Sequence, residues 1–188
     1  MFFKVFLFVV LLITRFWGLN WGGGFNFHPD ENNMAWAVER LSWDNFNPEF
    51  WAYGQFPLYL SFFTRQFVSF IFNNELLSAV SFGQATNYLR FWSAGFSVLT
   101  VVVGYLLGKE IFKKEKWGLV TAVLLTFTPG LIQMAHFGTT ESLLTFVGIS
   151  SAYLAVRYYK TENLKYIILS ALVGAIGMAS KLNAVLFL

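Results

Sequence analysis

Long uncharged stretches separate short charged segments along most of this chain. Four of them cover residues 91–108, 117–140, 142–156 and 166–180. A helix needs about 20 predominantly apolar residues to cross a bilayer, with a range of about 17 to 25. The first two stretches reach that length alone, and the other two reach it with their flanking residues. The pattern therefore predicts membrane-spanning helices.

The N-terminal segment 1–19 is also apolar, with Lys4 near its start. It could be a secretory signal peptide, but no small-x-small cleavage site follows it. Instead, Trp17 and Trp21 fit an interfacial aromatic anchor at the far end of a retained helix. We therefore favour a first membrane helix over a cleaved signal peptide.

Five crossings are predicted, at about 2–19, 88–109, 117–136, 140–158 and 165–188. Cations cluster after the second crossing and again after the fourth. Because two crossings separate these clusters, both lie on one side, and the positive-inside rule makes that side cytoplasmic. The N-terminus is then cytoplasmic, and the loop 20–87, with six acidic residues and two arginines, is extracytoplasmic. The cations are Lys109, Lys113, Lys114 and Lys116, then Arg157, Lys160 and Lys165.

The segment 56–72 is apolar enough to suggest a sixth crossing. However, a polar stripe runs along it at helical spacing, formed by Ser61, Thr64, Arg65 and Ser69. A sixth crossing would also move the first lysine cluster to the outer side, against the positive-inside rule. We therefore predict an interfacial helix on the outer surface, with Pro57 in its first turn.

A second short helix of this loop is predicted from near Pro29 to Leu41. Proline is tolerated in a first helical turn. Asp30 and Glu31 would lie in that turn, where acidic side chains favour the helix dipole. This structural role is one explanation for both carboxylates.

Composition agrees with a membrane protein and removes other classes. Of 188 residues, 56% are hydrophobic and 12% are charged, whereas soluble domains carry about 25% charged residues. The chain has no cysteine, which excludes disulfides and Cys-based metal sites. The net charge of +3 forms no basic stripe on a soluble face, so no nucleic-acid partner is expected.

The predicted topology places ionisable residues from distant parts of the chain at the outer membrane boundary. Lys181, for example, lies roughly 24 Å along the fifth crossing at 1.5 Å per residue. The full set is Asp30, Glu31, Arg90, His136, Glu141 and Lys181. An ionisable residue inside a membrane helix is by default a functional hypothesis.

Several of these residues also have purely structural explanations. Glu141 could cap the N-terminus of the fourth crossing, and Arg90 and Lys181 could extend to the interface as long cations often do. A divalent metal ion is a candidate cofactor. Its ligands would be His28, Asp30, His136 and Glu141, but no local spacing typical of metal ligands supports this site.

Together, the residues fit a group-transfer reaction. A partly desolvated carboxylate at the lipid–water boundary could act as a general base. Cations beside it could hold a phosphate and neutralise the charge that builds on it as a leaving group. Those groups are what is needed to move a sugar from a lipid-linked phosphate to a hydroxyl.

The motif Phe27-His28-Pro29-Asp30-Glu31 resembles the first-loop Asp-Glu motif of membrane glycosyltransferases with the GT-C fold. The chain is most similar to the dolichyl-phosphate-mannose protein mannosyltransferase superfamily, glycosyltransferase family 39 and its bacterial relatives. Four further stretches agree with that superfamily in the same order, at 53–60, 90–94, 136–142 and 177–184. The resemblance implies a GT-C-like, all-α, multi-pass membrane protein.

The resemblance also implies catalytic roles. Asp30 is expected to be the catalytic base, with Glu31 shaping the acceptor site beside it. Glu141, with His136 nearby, corresponds to a second acidic motif that orients the acceptor or supports a metal.

The implied donor is a polyprenyl-phosphate monosaccharide, mannose or similar, whose phosphate Arg90 and Lys181 would contact. A hydroxyl of a protein, lipid or glycan acceptor would attack the anomeric carbon with inversion at the extracytoplasmic face. Members of the superfamily have many more crossings. Residues 1–188 are therefore expected to be the N-terminal part of a GT-C domain, incomplete at the C-terminus, which argues against activity of this part alone.

Two other classes stay open. A transporter component would need charges or broken helices near the membrane midplane, whereas the predicted polar residues lie at one boundary. A non-catalytic membrane subunit would tolerate alanine at Asp30 and Glu31.

Overall fold

The computed structural model describes residues 2–23, 25–73, 76 and 79–187. Within these ranges the regular structure is helical and no strand is found, apart from an isolated bridge between Ser42 and Ala79. The prediction of an all-α chain is therefore confirmed. Glu75, counted among the acidic residues of the first loop, and Leu188, the end of the predicted fifth crossing, lie outside the described residues.

Eight α-helices and one 3₁₀ helix follow one another in the described chain. They are α1 (Phe2–Phe16), α2 (Pro29–Glu39), α3 (Phe56–Asn73), α4 (Phe82–Phe112), α5 (Glu115–Phe127), α6 (Pro129–Ala135), α7 (Glu141–Thr161), α8 (Lys165–Met178) and the 3₁₀ helix Leu182–Phe187.

The two short helices predicted in the first loop are confirmed as α2 and α3. Pro29 is the first residue of α2, and the His28 ring caps this helix by accepting a hydrogen bond from the Asp30 N–H at 3.2 Å. Pro57 lies in the first turn of α3. Proline favours such positions because its fixed φ suits the helix and its missing N–H has no partner there.

By length and composition, α4 is the one helix of the described chain that could cross a membrane by itself. The helices α5 and α6 meet the same criterion as a pair bent by 60°, and α8 is apolar but shorter. The count of five crossings therefore stays a prediction.

Two predicted crossings are not continuous α-helices. Residues 117–136 are divided between α5 and α6, because Pro129 cannot continue the helix and starts a new one. The predicted crossing at 165–188 ends its α-helix at Met178. The carbonyl groups of Ala179 and Ser180 instead accept backbone hydrogen bonds from Phe56, the first residue of α3, and from Gly54 just before it. Lys181 therefore follows the α-helix and does not lie inside it.

The long helix α4 is the centre of the packing and contacts α1, α2, α3, α5, α6 and α7. One apolar core lies where α2 and α3 pack on α4, around Met34, Phe62 and Leu89. A second core, formed by Leu7, Leu11, Val101 and Ala122, joins α1, α4 and α5. The chain of helices thus wraps around a single central element.

A buried cation connects α1 to the break between α5 and α6. Arg15 has no exposed surface, and its Nε donates to the Ser97 hydroxyl at 2.8 Å. Its Nη2 donates to the carbonyl oxygens of Leu125 and Thr126, each at 3.1 Å. Arg15 thereby satisfies carbonyls that lose their helical partners where α5 ends.

Much of the outer surface is apolar. Phe2, Trp17, Phe72 and Leu186 are between 79% and 85% exposed. The helix α3 turns Phe67 outward and buries part of the predicted polar stripe. Apolar surface of this extent marks contact with a membrane or with other proteins.

We predict that Arg15→Leu lowers the free energy of unfolding by about 2–3 kcal/mol, because buried carbonyls lose their donor. Titration of the purified protein with sodium dodecyl sulfate, followed by circular dichroism, measures this change. Arg65→Leu, at a half-buried position of α3, is the control and should change the free energy of unfolding little. Equal stability of the two variants would contradict the role assigned to Arg15.

Candidate active site

The residues predicted for the site come from separate segments and form two ionic groups. Glu31 and Arg90 make a buried pair between α2 and α4. Asp30, Tyr53, Lys181 and Glu141 make a half-buried group, which we call the polar cluster. The two groups are adjacent because Asp30 and Glu31 are neighbours at the start of α2.

The buried pair has two parallel hydrogen bonds. The Nε of Arg90 donates to Oε1 of Glu31 at 2.6 Å, and Nη2 donates to Oε2 at 2.8 Å. The exposed fractions of the two side chains are 2% for Arg90 and 0% for Glu31. This two-pronged geometry is the strong form of an arginine–carboxylate pair.

The buried pair also holds two backbone segments in place. Nη1 of Arg90 donates to the carbonyl oxygens of Leu19 and Trp21, at 2.8 and 2.9 Å. Oε1 of Glu31 accepts a hydrogen bond from the Gly138 N–H at 2.7 Å. The segment after α1 and the turn between α6 and α7 are therefore tied to α2 and α4.

Gly138 is required by this close approach. A Cβ at this position would lie 2.6 Å from the Cβ of Leu89 and 3.2 Å from Oε1 of Glu31. Any larger residue would push the α6–α7 turn away from α4 and weaken the contact with Glu31.

In the polar cluster, Asp30 is held by a tyrosine. The Tyr53 hydroxyl donates to Oδ2 of Asp30 at 2.8 Å. This hydrogen bond to a carboxylate, together with burial, raises the pKa of Tyr53 to about 12. Tyr53 thus stays a neutral donor throughout the physiological pH range and orients one oxygen of Asp30.

The same tyrosine connects Asp30 to the other half of the polar cluster. The Lys181 ammonium lies 4.5 Å from the centre of the Tyr53 ring, a cation–π distance. Its Nζ also lies 3.3 Å from Oε1 of Glu141, the first residue of α7. Carboxylates from α2 and α7 therefore lie on either side of one lysine and one tyrosine.

A tight backbone contact brings Tyr53 to Lys181. The N–H groups of Gly54 and Phe56 donate to the carbonyl oxygens of Ser180 and Ala179, at 3.0 and 3.1 Å. A Cβ on Gly54 would lie 2.0 Å from the Ala179 oxygen, so only glycine permits this contact. Sequence reasoning did not assign a role to Tyr53, although the Tyr-Gly pair just before a helix-starting proline is visible in the sequence.

His136 and His28 have structural contacts. The two ring nitrogens of His136 lie 2.8 Å from the Ile132 oxygen and 3.0 Å from the Trp17 oxygen. His28 caps α2. Among the described residues, no group of three or more His, Asp or Glu side chains is placed to hold a metal ion.

The structure places the predicted site residues in two separate sets of contacts. Lys181 and Glu141 are in contact, and Asp30 joins them through Tyr53. Arg90 and Glu31 bind each other, and four of the five guanidinium N–H groups of Arg90 are engaged in this arrangement.

A family model described as dolichyl-phosphate-mannose-protein mannosyltransferase matches residues 74–188, more than half of the chain. The matched region contains Arg90, Glu141 and Lys181 but not Asp30 or Tyr53. No curated protein and no solved structure matches the chain.

We predict that Glu31→Gln lowers the free energy of unfolding by about 3–5 kcal/mol, because it leaves the buried Arg90 charge unpaired. Adding Arg90→Met should recover part of this loss, since no charge then stays buried. Glu49→Gln, at an exposed position in the same loop, is the control. Detergent titration gives the free energies, and a Glu31→Gln protein as stable as the control would refute the prediction.

Proposed function

This chain belongs to the dolichyl-phosphate-mannose-protein mannosyltransferase family, and we propose that it takes part in transfer of a monosaccharide from a polyprenyl-phosphate donor to a hydroxyl acceptor. Membership makes it a membrane-associated, glycosyltransferase-like protein; the sugar, mannose or similar, and the donor are our proposal. This proposal rests on the half-buried Asp30, whose carboxylate is held by Tyr53 beside Lys181 and Glu141.

In the proposed reaction, Asp30 is the general base. Its carboxylate accepts the proton of the acceptor hydroxyl while that oxygen bonds to the anomeric carbon. The bond between this carbon and the phosphate oxygen breaks, and the phosphate leaves with the electron pair on the face opposite to attack. The sugar is thereby inverted. The Tyr53 hydrogen bond at 2.8 Å supports this role because it fixes one Asp30 oxygen and leaves the other for the acceptor.

Lys181 is the better candidate for the donor phosphate. Its side chain is 23% exposed and that of its partner Glu141 is 31% exposed, so a phosphate oxygen could join the pair or replace the exposed part of the carboxylate. Glu141 would then orient the acceptor, as the resemblance of its motif implies.

Arg90 and Glu31 are proposed to act mainly through position. A phosphate contact by Arg90 would compete with its bonds to Glu31 and to two backbone carbonyls. In its present bonding, the pair fixes the start of α2, and with it Asp30.

We also propose a GT-C-like topology with an extracytoplasmic site and a cytoplasmic N-terminus. The five crossings are assigned to α1, α4, α5 with α6, α7, and α8 with the segment that follows it. The transmembrane helix 1–19, the loop 20–87 and the four crossings of 88–188 form one domain. Exposed phenylalanines on α3 support an interfacial helix whose apolar face rests on lipid.

A transporter is less well supported than an enzyme. Broken helices can offer free carbonyls to ions, and α5 and α6 are such a broken pair. However, the carbonyls of Leu125 and Thr126 at this break already accept hydrogen bonds from Arg15. The break therefore presents no free ion ligands at these two positions.

We predict that Asp30→Asn reduces sugar transfer at least about 100-fold, because a general base contributes about 10²–10⁴-fold while asparagine preserves shape. The assay uses membrane vesicles containing the protein, a polyprenyl-phosphate mannose donor and a hydroxyl acceptor. Asp44→Asn, an exposed carboxylate of the same loop, is the control. Equal amounts of both variants in the membrane fraction establish that insertion is intact.

Two results would count against the enzyme. Transfer by Asp30→Asn at the rate of Asp44→Asn would remove Asp30 from the base role. No transfer by the unaltered protein with any polyprenyl-phosphate hexose would contradict the reaction itself.

The topology has its own test, since the chain contains no cysteine and single cysteines can be placed freely. Asp44→Cys, in the first loop, should react with a membrane-impermeant maleimide in intact cells. Lys114→Cys, between α4 and α5, should react only after permeabilisation. The reverse pattern would invert the proposed orientation, and labelling of both from outside would remove the α4 crossing.

A further inference from the structure

An apolar groove lies between α1, α4 and α5, and its α4 residues begin at Val101, well along that helix from Arg90. Its volume is about 180 Å³. Leu7, Phe8, Val102, Leu119 and Ala122 contribute to its walls, and Lys4 lies at one end. From Lys4 to Leu11 the lining of α1 spans roughly 10 Å at 1.5 Å per residue. The groove therefore has an apolar body and a cationic end.

The cationic end contains more than one charge. Lys4 forms an ion pair with Glu115, and both side chains are about half exposed. The Tyr105 hydroxyl donates to the same carboxylate at 3.4 Å. Lys109, four residues after Tyr105 on the same face of α4, also acts electrostatically on Glu115. Lys4 thus pairs with this carboxylate, and Lys109 lies near enough to act on it.

We propose that this groove binds an anionic phospholipid, with one acyl chain along the groove and the phosphate between Lys4 and Lys109. The inference rests on the proposed membrane topology and not on the proposed sugar transfer. In that topology the cationic end faces the cytoplasmic leaflet. Basic pockets between membrane helices on that side are typical sites for anionic lipid head groups.

Charge and size both favour a lipid over another helix. The nearby turn between α4 and α5 adds Lys113 and Lys114, and the first turn of α5 adds Lys116, so the net charge around the groove end stays positive. A cavity of about 150 Å³ holds a molecule the size of benzene, whereas a helix with its side chains is about 10–12 Å across. A groove of about 180 Å³ fits a length of hydrocarbon chain.

Native mass spectrometry of the protein in mild detergent tests this proposal, with equal amounts of dioleoyl phosphatidylglycerol and dioleoyl phosphatidylcholine added. Phosphatidylglycerol should be retained preferentially. Lys4→Gln with Lys109→Gln should weaken its binding by about fivefold for each lysine removed. Lys160→Gln with Lys165→Gln, cations at the end of α7 and the start of α8, is the matched control and should leave binding unchanged.

A second pair of variants tests the acyl chain. Val102→Phe narrows the groove and should reduce retention of phosphatidylglycerol, whereas Leu99→Phe, at a similarly exposed position of α4 outside the groove, should not. Circular dichroism shows whether each variant is folded. Because the substituted positions are exposed, we expect little loss of stability in any of them.

Several results would overturn the proposal. Equal retention of the two lipids would be one, and equal lipid binding by the two lysine double variants would be another. Equal retention by Val102→Phe and Leu99→Phe would also contradict it. So would a lipid-free dimer that Val102→Phe dissociates. If the unaltered protein retains the lipid but transfers no sugar, only the proposed enzymatic function is contradicted.

Discussion

The buried pair of Glu31 and Arg90 is the interaction on which the arrangement of this protein depends. Removing two charges from water is costly unless good geometry and further hydrogen bonds offset the desolvation. Here the guanidinium donates hydrogen bonds to both carboxylate oxygens and to two backbone carbonyls, and the carboxylate accepts one more from a backbone N–H. These bonds join three chain segments to α4: the segment after α1, the start of α2 and the turn between α6 and α7. The arrangement also distinguishes two consecutive carboxylates, because Glu31 is wholly buried while Asp30 is only half-buried.

Local patterns in the sequence predicted where helices start better than where tertiary contacts end them. Pro29 and Pro57 marked the starts of α2 and α3, because proline suits a first turn wherever it occurs. Pro129 carried the same signal, but it lay inside an apolar run that was long enough to be counted as one crossing. The end of α8 at Met178 depends on carbonyl partners more than 120 residues earlier, so no local pattern could reveal it.

For the site, topology predicted proximity but not pairing. Placing loop and helix ends at one boundary brought Asp30, Glu141 and Lys181 to the same level, and the contact between the last two agrees with this. The predicted topology could not show that Arg90 binds Glu31, or that Tyr53 lies between Asp30 and Lys181. Those contacts depend on close backbone approaches at Gly54 and Gly138, which only the folded chain creates.

The contacts also connect the matched and unmatched parts of the chain. The family match begins at residue 74, yet Arg90 and Lys181 inside it contact Glu31 and Tyr53 outside it. The first loop and the matched helices therefore contribute side chains to the same ionic groups. Along α4, Arg90 and Lys109 bracket an uncharged stretch of about 28 Å at 1.5 Å per residue, close to the thickness of a hydrocarbon core, about 30 Å. If α4 crosses as proposed, the polar cluster and the cationic groove lie at opposite faces, so lipid retention and sugar transfer would be separable properties of one helix scaffold.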